Sequence, residues 1–417
     1  MVEKASYKQT DAGLIPVDWL VRPVGEMGEV RAGKALAVNS PGRLRPYLRT
    51  KNVFDGRIDL DDVLQMPMSD GEFERYRLRD GDVLLNEGQS IELVGRCAMY
   101  RDEYPEPCAI QNQLVRFRAG AGVSAAFAAH LFRYCQASGV FAKIALQTTS
   151  VAHLGVSRFQ RLELAWPPTF AEQDAIAAAL GDADALIDAL DQLVAKKRLV
   201  KQGAMQELLT GRRRLPGFTG EWETKRLGQL GTFLKGSGVS KSQAISGELP
   251  CVRYGELYTR HDDVIRAFHS WISREVAQTA TPLRRGDVLF AGSGETKEEI
   301  GKCAAFVHDA DAYAGGDIVI LRTDQADALF LGYYLNTADI ARQKASRGQG
   351  DAVVHISATA LAAIRGRFPK PPEQSAIAAV LTDMDAEIAA VEDKLAKARR
   401  VKQGMMQELL TGRVRLV

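Results

Sequence analysis

The chain repeats itself, and this repeat constrains the fold more than any other feature of the sequence. Residues 172–216 and 373–417 align without a gap at an offset of 201, and 29 of the 45 aligned positions carry the same residue. Chance does not give such agreement, so the sequence indicates a duplication. The rest of each half matches more loosely, as in VGRCA at 94–98 and IGKCA at 300–304. Each half is therefore predicted to be a variable part followed by a nearly invariant segment.

The invariant segments are predicted to be long helices. Their apolar residues recur four and three positions apart, which is the spacing of an a/d coiled-coil seam. Gly203 and Gly404 are expected to interrupt the two helices, with a shorter helical piece after each. The predicted seam consists of Ile176, Leu180, Ala183, Ile187, Leu190 and Val194 in the first copy and of Ile377, Leu381, Met384, Ile388, Val391 and Leu395 in the second.

Charge predicts that the two helices pair antiparallel. Residues 172–193 contain six acidic residues and no basic one, whereas residues 196–214 contain seven basic residues and one acidic residue. The second copy has the same polarity, so antiparallel pairing brings each acidic half against the basic half of its partner. The alternative is that each helix packs only on its own globular domain.

The variable parts are predicted to be mixed α/β structures, because short β-like runs alternate with Gly, Pro and Asp. Strands are expected at 46–53, 81–86, 95–100, 112–119, 251–258 and 317–323, and helices at 126–136 and 328–336. The expected fold is an α/β (α+β) pair of domains in a tandem pseudo-two-fold repeat, joined by two long antiparallel coiled-coil helices. The expected segments are a first variable domain (1–168), a helical spacer (169–213), a second variable domain (214–370) and a second helical spacer (371–417).

Composition excludes several classes of protein. Of the 417 residues, 46% are hydrophobic and 25% are charged, as in a globular chain and not in a disordered one. No apolar run approaches a membrane span, and the polar residues 1–13 lack a signal-peptide core, so a cytoplasmic protein is expected. The five cysteines form no C-x-x-C pair, and we expect buried free thiols. The net charge of +2 neither requires nor excludes nucleic acid.

Two pairs of loops differ between the halves. One pair, NEGQSIEL (86–93) and AGSGETKEE (291–299), follows a GDVL strand in each half. The other pair, KIALQTTS (143–150) and RQKASRGQGD (342–351), precedes the equivalent histidines His153 and His355. Equivalent loops that differ in length and chemistry on a retained frame are expected to read different ligands. For the two histidines a structural hydrogen bond is favoured over contact with a base or a phosphate.

The search for catalytic motifs favours no enzyme. The chain has neither the N-P-P-Y loop of a DNA-amine methyltransferase nor a complete nucleotide P-loop. Asp287 with Glu295 and Lys297 resembles a nuclease site in which carboxylates hold magnesium, but the first half keeps only Asp82. A turn with solvated charges is favoured there, no metal is expected, and a metal-dependent nuclease stays as an alternative.

With the repeat and the helices in place, the chain resembles the specificity (S) subunit of type I DNA restriction-modification systems over essentially its whole length. The strings that carry the resemblance include GLIPVDW (13–19), PYLRTKNVFDGRID (46–59), GDVLLNEG (81–88), PPTFAEQDAIAAAL (167–180) and both copies of QELLTGR (206–212 and 407–413). The resemblance implies two target-recognition domains, each reading one half of a bipartite, asymmetric DNA sequence.

The same resemblance implies partners and a division of labour. The helical segments would set the spacing and dock two methyltransferase (M) subunits, which bring S-adenosylmethionine and adenine methylation. Restriction (R) subunits would bring ATP-driven translocation and cleavage. S-adenosylmethionine, ATP and Mg²⁺ are therefore expected in the partner subunits, and this chain is expected to have no cofactor and no active site. A purely structural coiled-coil adaptor is the remaining alternative.

Double-stranded DNA as the partner directs attention to basic and amide side chains, which grip phosphates and discriminate bases. Tyr47 and Tyr254 could stack or pack, and for every candidate an ordinary solvated side chain is the alternative. As a helix, residues 172–201 would span about 45 Å, enough to separate two readers by about one turn of DNA, near 34 Å. The candidate contacts are Arg31, Lys34, Arg43, Arg45, Arg49, Lys51, Asn52, Gln89 and Gln147 in the first half and Lys235, Lys241, Arg253, Lys297, Arg347 and Gln349 in the second.

Overall fold

The computed structural model describes residues 6–10, 13–36, 41–147, 150–244, 246–350 and 353–416, except for the side chain of Lys241. Parts of the polar stretch 1–13 and of the loops 143–150 and 342–351 therefore lie outside the described residues. The chain divides into two compact units. Unit 1 comprises Met1–Asp191 and Asp393–Val417, and unit 2 comprises Gln192–Glu392, so each unit contains one variable part and a portion of both duplicated segments.

Unit 1 folds around a four-stranded antiparallel sheet. Its described strands are β1 (Tyr7–Thr10), β2 (Gly13–Pro16), β3 (Leu20–Pro23), β4 (Gly28–Ala32), β5 (Arg43–Leu48), β6 (Leu64–Met68), β7 (Val83–Asn86), β8 (Gly88–Gln89), β9 (Cys97–Met99), β10 (Ala109–Ile110), β11 (Leu114–Ala119), β12 (Leu146–Gln147), β13 (Ala152–His153) and β14 (Glu163–Trp166). The central sheet has the order β4-β11-β7-β9, and smaller sheets have the orders β10-β5-β6, β12-β13-β8, β1-β2 and β14-β3. Strand β7, with the sequence VLLN, is buried along its whole length.

Helices cover this sheet with an aromatic core. They are α1 (Val24–Met27), α2 (Asp70–Tyr76), α3 (Ala125–Ala137), α4 (Val140–Ile144), α5 (Val156–Arg161) and the start of the long helix α6 (Phe170–Leu208). The ring of Phe132 on α3 lies edge-on to Phe117 and to Phe159, with both pairs of ring centroids 5.1 Å apart. Ile176 and Leu180 of α6 belong to the same core.

Unit 2 repeats this plan with a larger central sheet. Its described strands are β15 (Glu223–Arg226), β16 (Thr232–Lys235), β17 (Leu249–Val252), β18 (Val264–Ile265), β19 (Ser270–Ile272), β20 (Thr281–Pro282), β21 (Val288–Ala291), β22 (Ser293–Gly294), β23 (Cys303–Phe306), β24 (Tyr313–Ala314), β25 (Ile318–Arg322), β26 (Val354–His355) and β27 (Arg365–Phe368). The central order is β16-β25-β21-β23-β18, beside sheets of order β19-β17-β24-β20, β22-β26 and β15-β27.

The helices of unit 2 are α7 (Tyr254–Thr259), α8 (Arg274–Ala277), α9 (Ala328–Tyr334), α10 (Ala338–Ala345), α11 (Ala358–Ala362) and the start of the second long helix, α12 (Pro371–Leu409). Ile377 and Leu381 of α12 pack in the core of unit 2, as Ile176 and Leu180 do in unit 1. The first turns of both long helices thus pack on a globular domain, which was the alternative to helix pairing. The helices also pair, so both descriptions hold for different parts of each helix.

Ion pairs within each unit show that the two long helices run antiparallel. In unit 1, Lys402 pairs with Asp184, and Arg399 pairs with Asp191 at 2.7 Å. In unit 2, the matching pairs are Arg198–Glu392 and Lys201–Asp385, and Lys197–Glu387 is a further pair, each at 2.6 Å. From Asp184–Lys402 to Asp191–Arg399, and from Arg198–Glu392 to Lys201–Asp385, residue numbers rise along α6 and fall along α12. In every pair a basic residue meets an acidic one. The charge-based prediction of the fold is therefore confirmed.

The predicted seam residues differ in burial. Along the first helix, Val194 is buried, whereas Ile187 and Leu190 are half-buried. In the second copy, Ile388, Val391 and Leu395 are all buried. The contacts of these residues across the seam stay a prediction.

Three local predictions were wrong. The helix α6 continues through Gly203, and α12 continues through Gly404, because one glycine costs a helix only about 1 kcal/mol. The predicted strand 46–53 ends at Leu48, and the predicted strand 251–258 ends at Val252. Each strand gives way to a single helical turn, because a polar side chain three residues after an arginine accepts the hydrogen bond of the arginine backbone N–H.

Two predictions about reactive and apolar residues have clear outcomes. All five cysteines are buried free thiols, as expected. No helix in the described part of the chain is long and apolar enough to cross a membrane.

Candidate nucleic-acid interface

The two pairs of variable loops meet in small sheets, one in each unit. In unit 1, β12-β13-β8 forms ribbon 1, in which Ala152 pairs with Gln147 on one side and with Gln89 on the other. Two candidate DNA contacts thus lie in one row of ribbon 1, although the sequence places them far apart. The next row contains Leu146, His153 and Gly88.

Unit 2 builds the equivalent ribbon 2 from β22, β26 and Gln349. Ser293 pairs with His355 in the β22–β26 ladder, and an isolated bridge joins His355 to Gln349. Gln349, His355 and Ser293 therefore form one row. Since His355 is the equivalent of His153, this row matches the row of Leu146, His153 and Gly88 in ribbon 1. The two units place different side chains at the same points of the same frame.

The equivalent histidines are held by chemically different partners. His153 Nδ1 lies 2.9 Å from Glu87 Oε2, and His355 Nδ1 lies 2.8 Å from Ser293 Oγ. The partner of His153 is thus a carboxylate, whereas the partner of His355 is a hydroxyl that can donate or accept. The expected structural hydrogen bond is confirmed for both histidines, and contact with a base or phosphate stays the untested alternative.

The ribbons expose apolar side chains beside their polar groups. Leu146 is 57% exposed in ribbon 1, and Val353 is 51% exposed next to ribbon 2. Gln147, Gln349 and His355 are also exposed. In the major groove of B-DNA, side-chain amides pair with adenine and apolar groups contact the thymine methyl. The exposed side chains of the ribbons have this chemistry.

Arg49 and Arg253 occupy equivalent places that sequence comparison did not align. Each follows a strand, β5 or β17, that pairs in parallel with β10 or β24. Each also begins the single helical turn described above, with its backbone N–H donating to Asn52 Oδ1 at 3.0 Å or to Glu256 Oε2 at 3.3 Å. The sequence pattern that could have revealed this equivalence is an arginine followed three residues later by a side chain with an amide or a carboxylate.

The two arginines are anchored differently. Arg49 Nη2 donates to Asp62 Oδ2 at 2.7 Å. Arg253 Nε donates to Glu256 Oε1 at 3.3 Å and to Ser270 Oγ at 3.1 Å. Arg253 also lines a cavity of about 680 Å³ together with Tyr254, Thr259, Arg260 and His269. The lining of this cavity also includes the carboxylates of Glu256 and Asp317.

The two tyrosines have different surroundings. Tyr47 is buried and packs among Met66, Met68 and Phe73, so the packing interpretation is confirmed for it. Tyr254 lines the cavity and is 39% exposed, and stacking by its ring stays a prediction.

Two of the candidate DNA contacts of unit 1, Lys34 and Asn52, are buried and form hydrogen bonds within the domain. Lys34 is buried and pairs with Glu72, and this hydrogen bond is the main reason that the pKa of Glu72 is lowered to about 2. Asn52 is buried, and its amide donates to the carbonyls of Asp59 and Asp62 at 2.8 and 3.1 Å. DNA contact by Lys34 and Asn52 would require these bonds to be shared or broken.

The remaining candidates of unit 1 lie nearer the surface. Arg45 donates to Asp70 at 3.0 Å and lies over the ring of Phe73. Lys51 shares Asp62 with Arg49, at 2.7 Å. Arg31 pairs with Glu29, and Arg43 is exposed. Gln89 is half-buried.

The remaining candidates of unit 2 are mostly exposed. Lys235 and Lys297 are exposed, and Arg347 is half-buried, with Nη1 donating to the carbonyl of Gln343 at 2.9 Å. The side chain of Lys241 lies outside the described residues. Contact with DNA stays a prediction for every candidate in both units.

The structure gives Asp287 a structural partner. Its side chain is 1% exposed, and Arg322 donates to both of its oxygens, from Nε at 2.8 Å and from Nη2 at 2.7 Å. Asp287 is therefore not a solvated charge, which corrects that interpretation, whereas Glu295 and Lys297 are exposed as expected. Among the described residues, no three His, Cys, Asp or Glu side chains are placed to hold a metal ion.

Comparison with known proteins finds similarity to one family. Residues 219–400 match the model of the type I restriction modification DNA specificity domain. The type I restriction enzyme MjaX specificity subunit of Methanocaldococcus jannaschii is 24% identical over 99% of this chain and 98% of its own length. The MjaVIII specificity subunit of the same organism is 20% identical over 99% of this chain and 97% of its own length.

Solved structures share the fold. The S subunit of a type I restriction-modification system from M. genitalium superposes with a TM-score of 0.58 at 14% identity, over 96% of this chain and 97% of that chain. A chain from a structure that describes complex assembly and conformational transition of the type I R-M system gives a TM-score of 0.56 at 17% identity, over 96% and 99%. The tandem arrangement of mixed α/β domains and long helices is thus the fold of these structures.

Proposed function

We propose that the chain is a member of the family of type I restriction-modification specificity subunits, and that it recognises double-stranded DNA at two different half-sites, one with each variable part. The observation that carries this proposal is the pair of ribbons. They occupy equivalent places in the two units but differ in chemistry, with Gln349 and Ser293 in one and Leu146 and Gly88 in the other. Two ribbons that share a backbone arrangement but carry different side chains suit an asymmetric, bipartite DNA target.

The long helices fit the role of a spacer. Each continues for 39 residues without a break, from one compact unit into the other. A helix advances about 1.5 Å per residue, so one base pair of spacing corresponds to about two helical residues. DNA between the half-sites would be passed without readout, and the helix lengths would set how much of it there is.

Other chains would perform the chemistry. We propose that two methyltransferase subunits dock on the helices and methylate adenine, and that restriction subunits cleave. S-adenosylmethionine, ATP and Mg²⁺ would then be bound by those partners in the cytoplasm, and this chain would be a non-catalytic reader. The engagement of Asp287 by Arg322 supports this division of labour, because the best candidate metal ligand is already occupied.

The test is a map of adenine methylation in the source organism, with and without this gene. The proposal predicts a bipartite, asymmetric methylated motif that disappears on deletion. A motif that persists after deletion would overturn the proposal. Cleavage of DNA by the purified chain with Mg²⁺ alone, abolished in Lys297→Ala, would support the nuclease alternative instead.

A pair of ribbon variants sharpens this test. Gln349→Leu is expected to relax only the half-site read by unit 2, and Gln147→Leu only the half-site read by unit 1, since a lost bidentate amide contact costs about 1–3 kcal/mol of base discrimination. Lys235→Ala is the matched control: a phosphate contact would weaken binding to all sequences alike and reduce its salt dependence. Sequence-independent binding by the unaltered complex would favour the structural adaptor.

A further inference from the structure

A cluster of ion pairs joins the variable part of unit 1 to both long helices. Asp184 on α6 accepts from Lys402 on α12 and, at 2.8 Å, from Arg133 Nη1 on α3. Arg133 also donates to both oxygens of Asp55 in the variable part, at 2.8 and 3.1 Å. The side chains of Lys402 and Arg133 are only 8% and 14% exposed. One carboxylate of a duplicated helix thus contacts the partner helix and the variable part at the same time.

Unit 2 builds the same cluster with different side chains. Asp385 on α12 accepts from Lys201 on α6 at 2.6 Å, from the Tyr333 hydroxyl on α9 at 2.6 Å and from Arg266 Nη2 at 2.9 Å. Lys201 Nζ also lies 3.7 Å from Asp263, which is part of the second variable part.

The duplication shows which parts of the two clusters are constant. Asp184 and Asp385 are equivalent residues, as are Lys201 and Lys402, so each Asp–Lys pair takes its acid from one copy and its base from the other. The helices α3 and α9 meet the long helices in the same register. Their N-cap backbone N–H groups, at Ser124 and Asp327, donate at 2.9 Å to the equivalent side chains of Gln173 and Gln374.

Counting from these N-caps identifies the variable partners. His130 and Arg133 of unit 1 match Tyr333, which donates to Asp385, and Asn336, which donates to Asp263 at 3.0 Å. The long helices therefore present the same Asp–Lys pair twice, and each variable part contacts it with its own side chains. A pair that is retained while its partners change marks the joint between the constant and the variable parts of the protein.

The burial and hydrogen bonding of the Asp184–Lys402 pair suit it to fixing the orientation of the variable part more than to stabilising the fold. Burial disfavours the charge of Asp184, but the contacts with Lys402 and Arg133 outweigh burial and lower the pKa of Asp184, so it stays ionised. Buried ion pairs contribute little net stability, because desolvation offsets the attraction, but their directed hydrogen bonds restrict geometry. The exposed pair Arg399–Asp191 joins only the two helices and lacks this restriction.

We propose that the Asp184–Lys402 and Asp385–Lys201 pairs are positioning clamps that hold each variable part at a fixed orientation on the helix pair and thereby limit the DNA spacer to one length. The orientation stands on the contacts alone, whereas the effect on the spacer rests on the proposed function. One base pair corresponds to about 3.4 Å along DNA, so a variable part that rocks on the helices by this distance would accept a wrong spacer.

The orientation is tested without DNA, in the full chain. All five native cysteines are buried, so spin labels attach to cysteines introduced at the exposed positions Glu74 and Ala189, which lie in the variable part and on α6 of unit 1. The distribution of the label-to-label distance is expected to be narrow in the otherwise unaltered chain and to broaden in Asp184→Asn. Arg133→Gln provides a second route to the same result if one variant folds poorly.

Asp191→Asn is the matched control, because it removes an ion pair between the same helices without touching the variable part. Its distance distribution is expected to stay narrow. Distributions that are unchanged in both Asp184→Asn and Arg133→Gln would overturn the clamp, whatever the chain does with DNA. Equal broadening in Asp191→Asn would overturn it too, since helix pairing alone would then explain the effect.

The spacer is tested in cells that carry the complete system, by adenine methylation of plasmid sites whose spacer is one base pair longer or shorter than the native one. Asp184→Asn and Tyr333→Phe are expected to reduce the preference for the native spacer by about tenfold, equivalent to about 1.4 kcal/mol, while both half-sites are still required. An unchanged preference despite broadened distances would overturn the role in spacing. Absence of any bipartite site in the unaltered system would instead refute the proposed function, and the clamp would then be decided by the distances.

Discussion

Arg322 binds Asp287 through two parallel hydrogen bonds, from Nε to Oδ1 at 2.8 Å and from Nη2 to Oδ2 at 2.7 Å. Unit 1 has the same fork between Arg118 and Asp82, with both distances at 2.7 Å. In both units the aspartate belongs to the GDVL string, directly before strand β7 or β21. The arginine lies on the strand that pairs with it, which is β11 or β25. The shared GDVL string therefore encodes a fixed aspartate–arginine connection within the central sheet.

Asp287→Ala is expected to destabilise unit 2 by about 3 kcal/mol, because removing one member of a buried ion pair leaves the other uncompensated. The loss also includes the hydrogen bond from the Arg284 backbone N–H, which Asp287 accepts at 2.8 Å. Urea unfolding followed by circular dichroism measures this change. Lys297→Ala, at an exposed position in the same region, is the control and should change the free energy of unfolding by less than about 0.5 kcal/mol. Millimolar Mg²⁺ that raises the unfolding midpoint of the unaltered chain, but not of Asp287→Ala, would contradict this assignment.

Gly203→Ala and Gly404→Ala are each expected to raise the free energy of unfolding by about 0.5–1 kcal/mol, since glycine inside a helix is destabilising relative to alanine. Both glycines are exposed, and a Cβ built at either one meets nothing within 4 Å. Chemical denaturation of the isolated chain measures the gain. A loss of stability would mean that the helix bends at the glycine in solution, as the sequence pattern had suggested.

Gly412 and Gly211 are equivalent glycines that follow the ends of the long helices. Substitution by alanine is expected to lower the free energy of unfolding by different amounts at the two positions. Both have left-handed backbones, with φ of +71° and +70°, which strains an alanine by roughly 1–2 kcal/mol. A Cβ at Gly412 would also lie 2.5 Å from Pro16 Cδ, whereas at Gly211 the nearest atom is in Trp222 at 3.3 Å. Gly412→Ala should therefore destabilise its unit more than Gly211→Ala, by thermal unfolding. Equal costs would show that Pro16 moves aside freely.

The duplication made much of the fold predictable, because it turned one chain into two comparable sequences. The helical period of residues 172–201 and the segregated charges gave the long helices and their antiparallel direction. The single turns after Arg49 and Arg253 could not be predicted from local preference. They depend on Asn52 and Glu256, whose side chains are of different kinds yet accept the same backbone hydrogen bond. A capping interaction is invisible to a pattern that counts only apolar periodicity.

The candidate interface was predictable in outline only. The sequence identified the loops that form the ribbons, since they differ between the halves on a retained frame. It did not place Gln89 and Gln147 in one row, because their meeting depends on pairing between strands that are far apart in the chain. It also counted Lys34 among the surface cations, because the carboxylate that buries it, Glu72, comes from a separate helix. Such contacts are set by tertiary packing, which residue types alone do not specify.

The last prediction concerns pH and His130, which lies in the clamp of unit 1. Its side chain is 12% exposed, and Nδ1 is 4.0 Å from Asp184 Oδ2. Burial, and then the charge of Arg133, lower the pKa of His130 from 6.5 to about 4. Between about pH 6.5 and 4, His130 is therefore protonated in the unfolded chain but neutral in the folded chain. The free energy of unfolding consequently decreases as the pH falls through this range. The loss at the lower limit is on the order of 3 kcal/mol.

His130→Gln should flatten the dependence of the free energy of unfolding on pH across this window, measured by urea titrations between pH 7 and 4.5. Burial likewise lowers the pKa of His261 in unit 2 to about 4. Because His261 is unchanged in the His130→Gln variant, its part of the pH dependence of the unfolding free energy remains and serves as the internal control. Staying above pH 4 avoids the protonation of Asp184, whose lowered pKa makes its own contribution disappear only at more acidic pH. Parallel curves for the unaltered chain and His130→Gln would show that His130 takes up its proton in the folded protein, and that the joint around Asp184 is open to water.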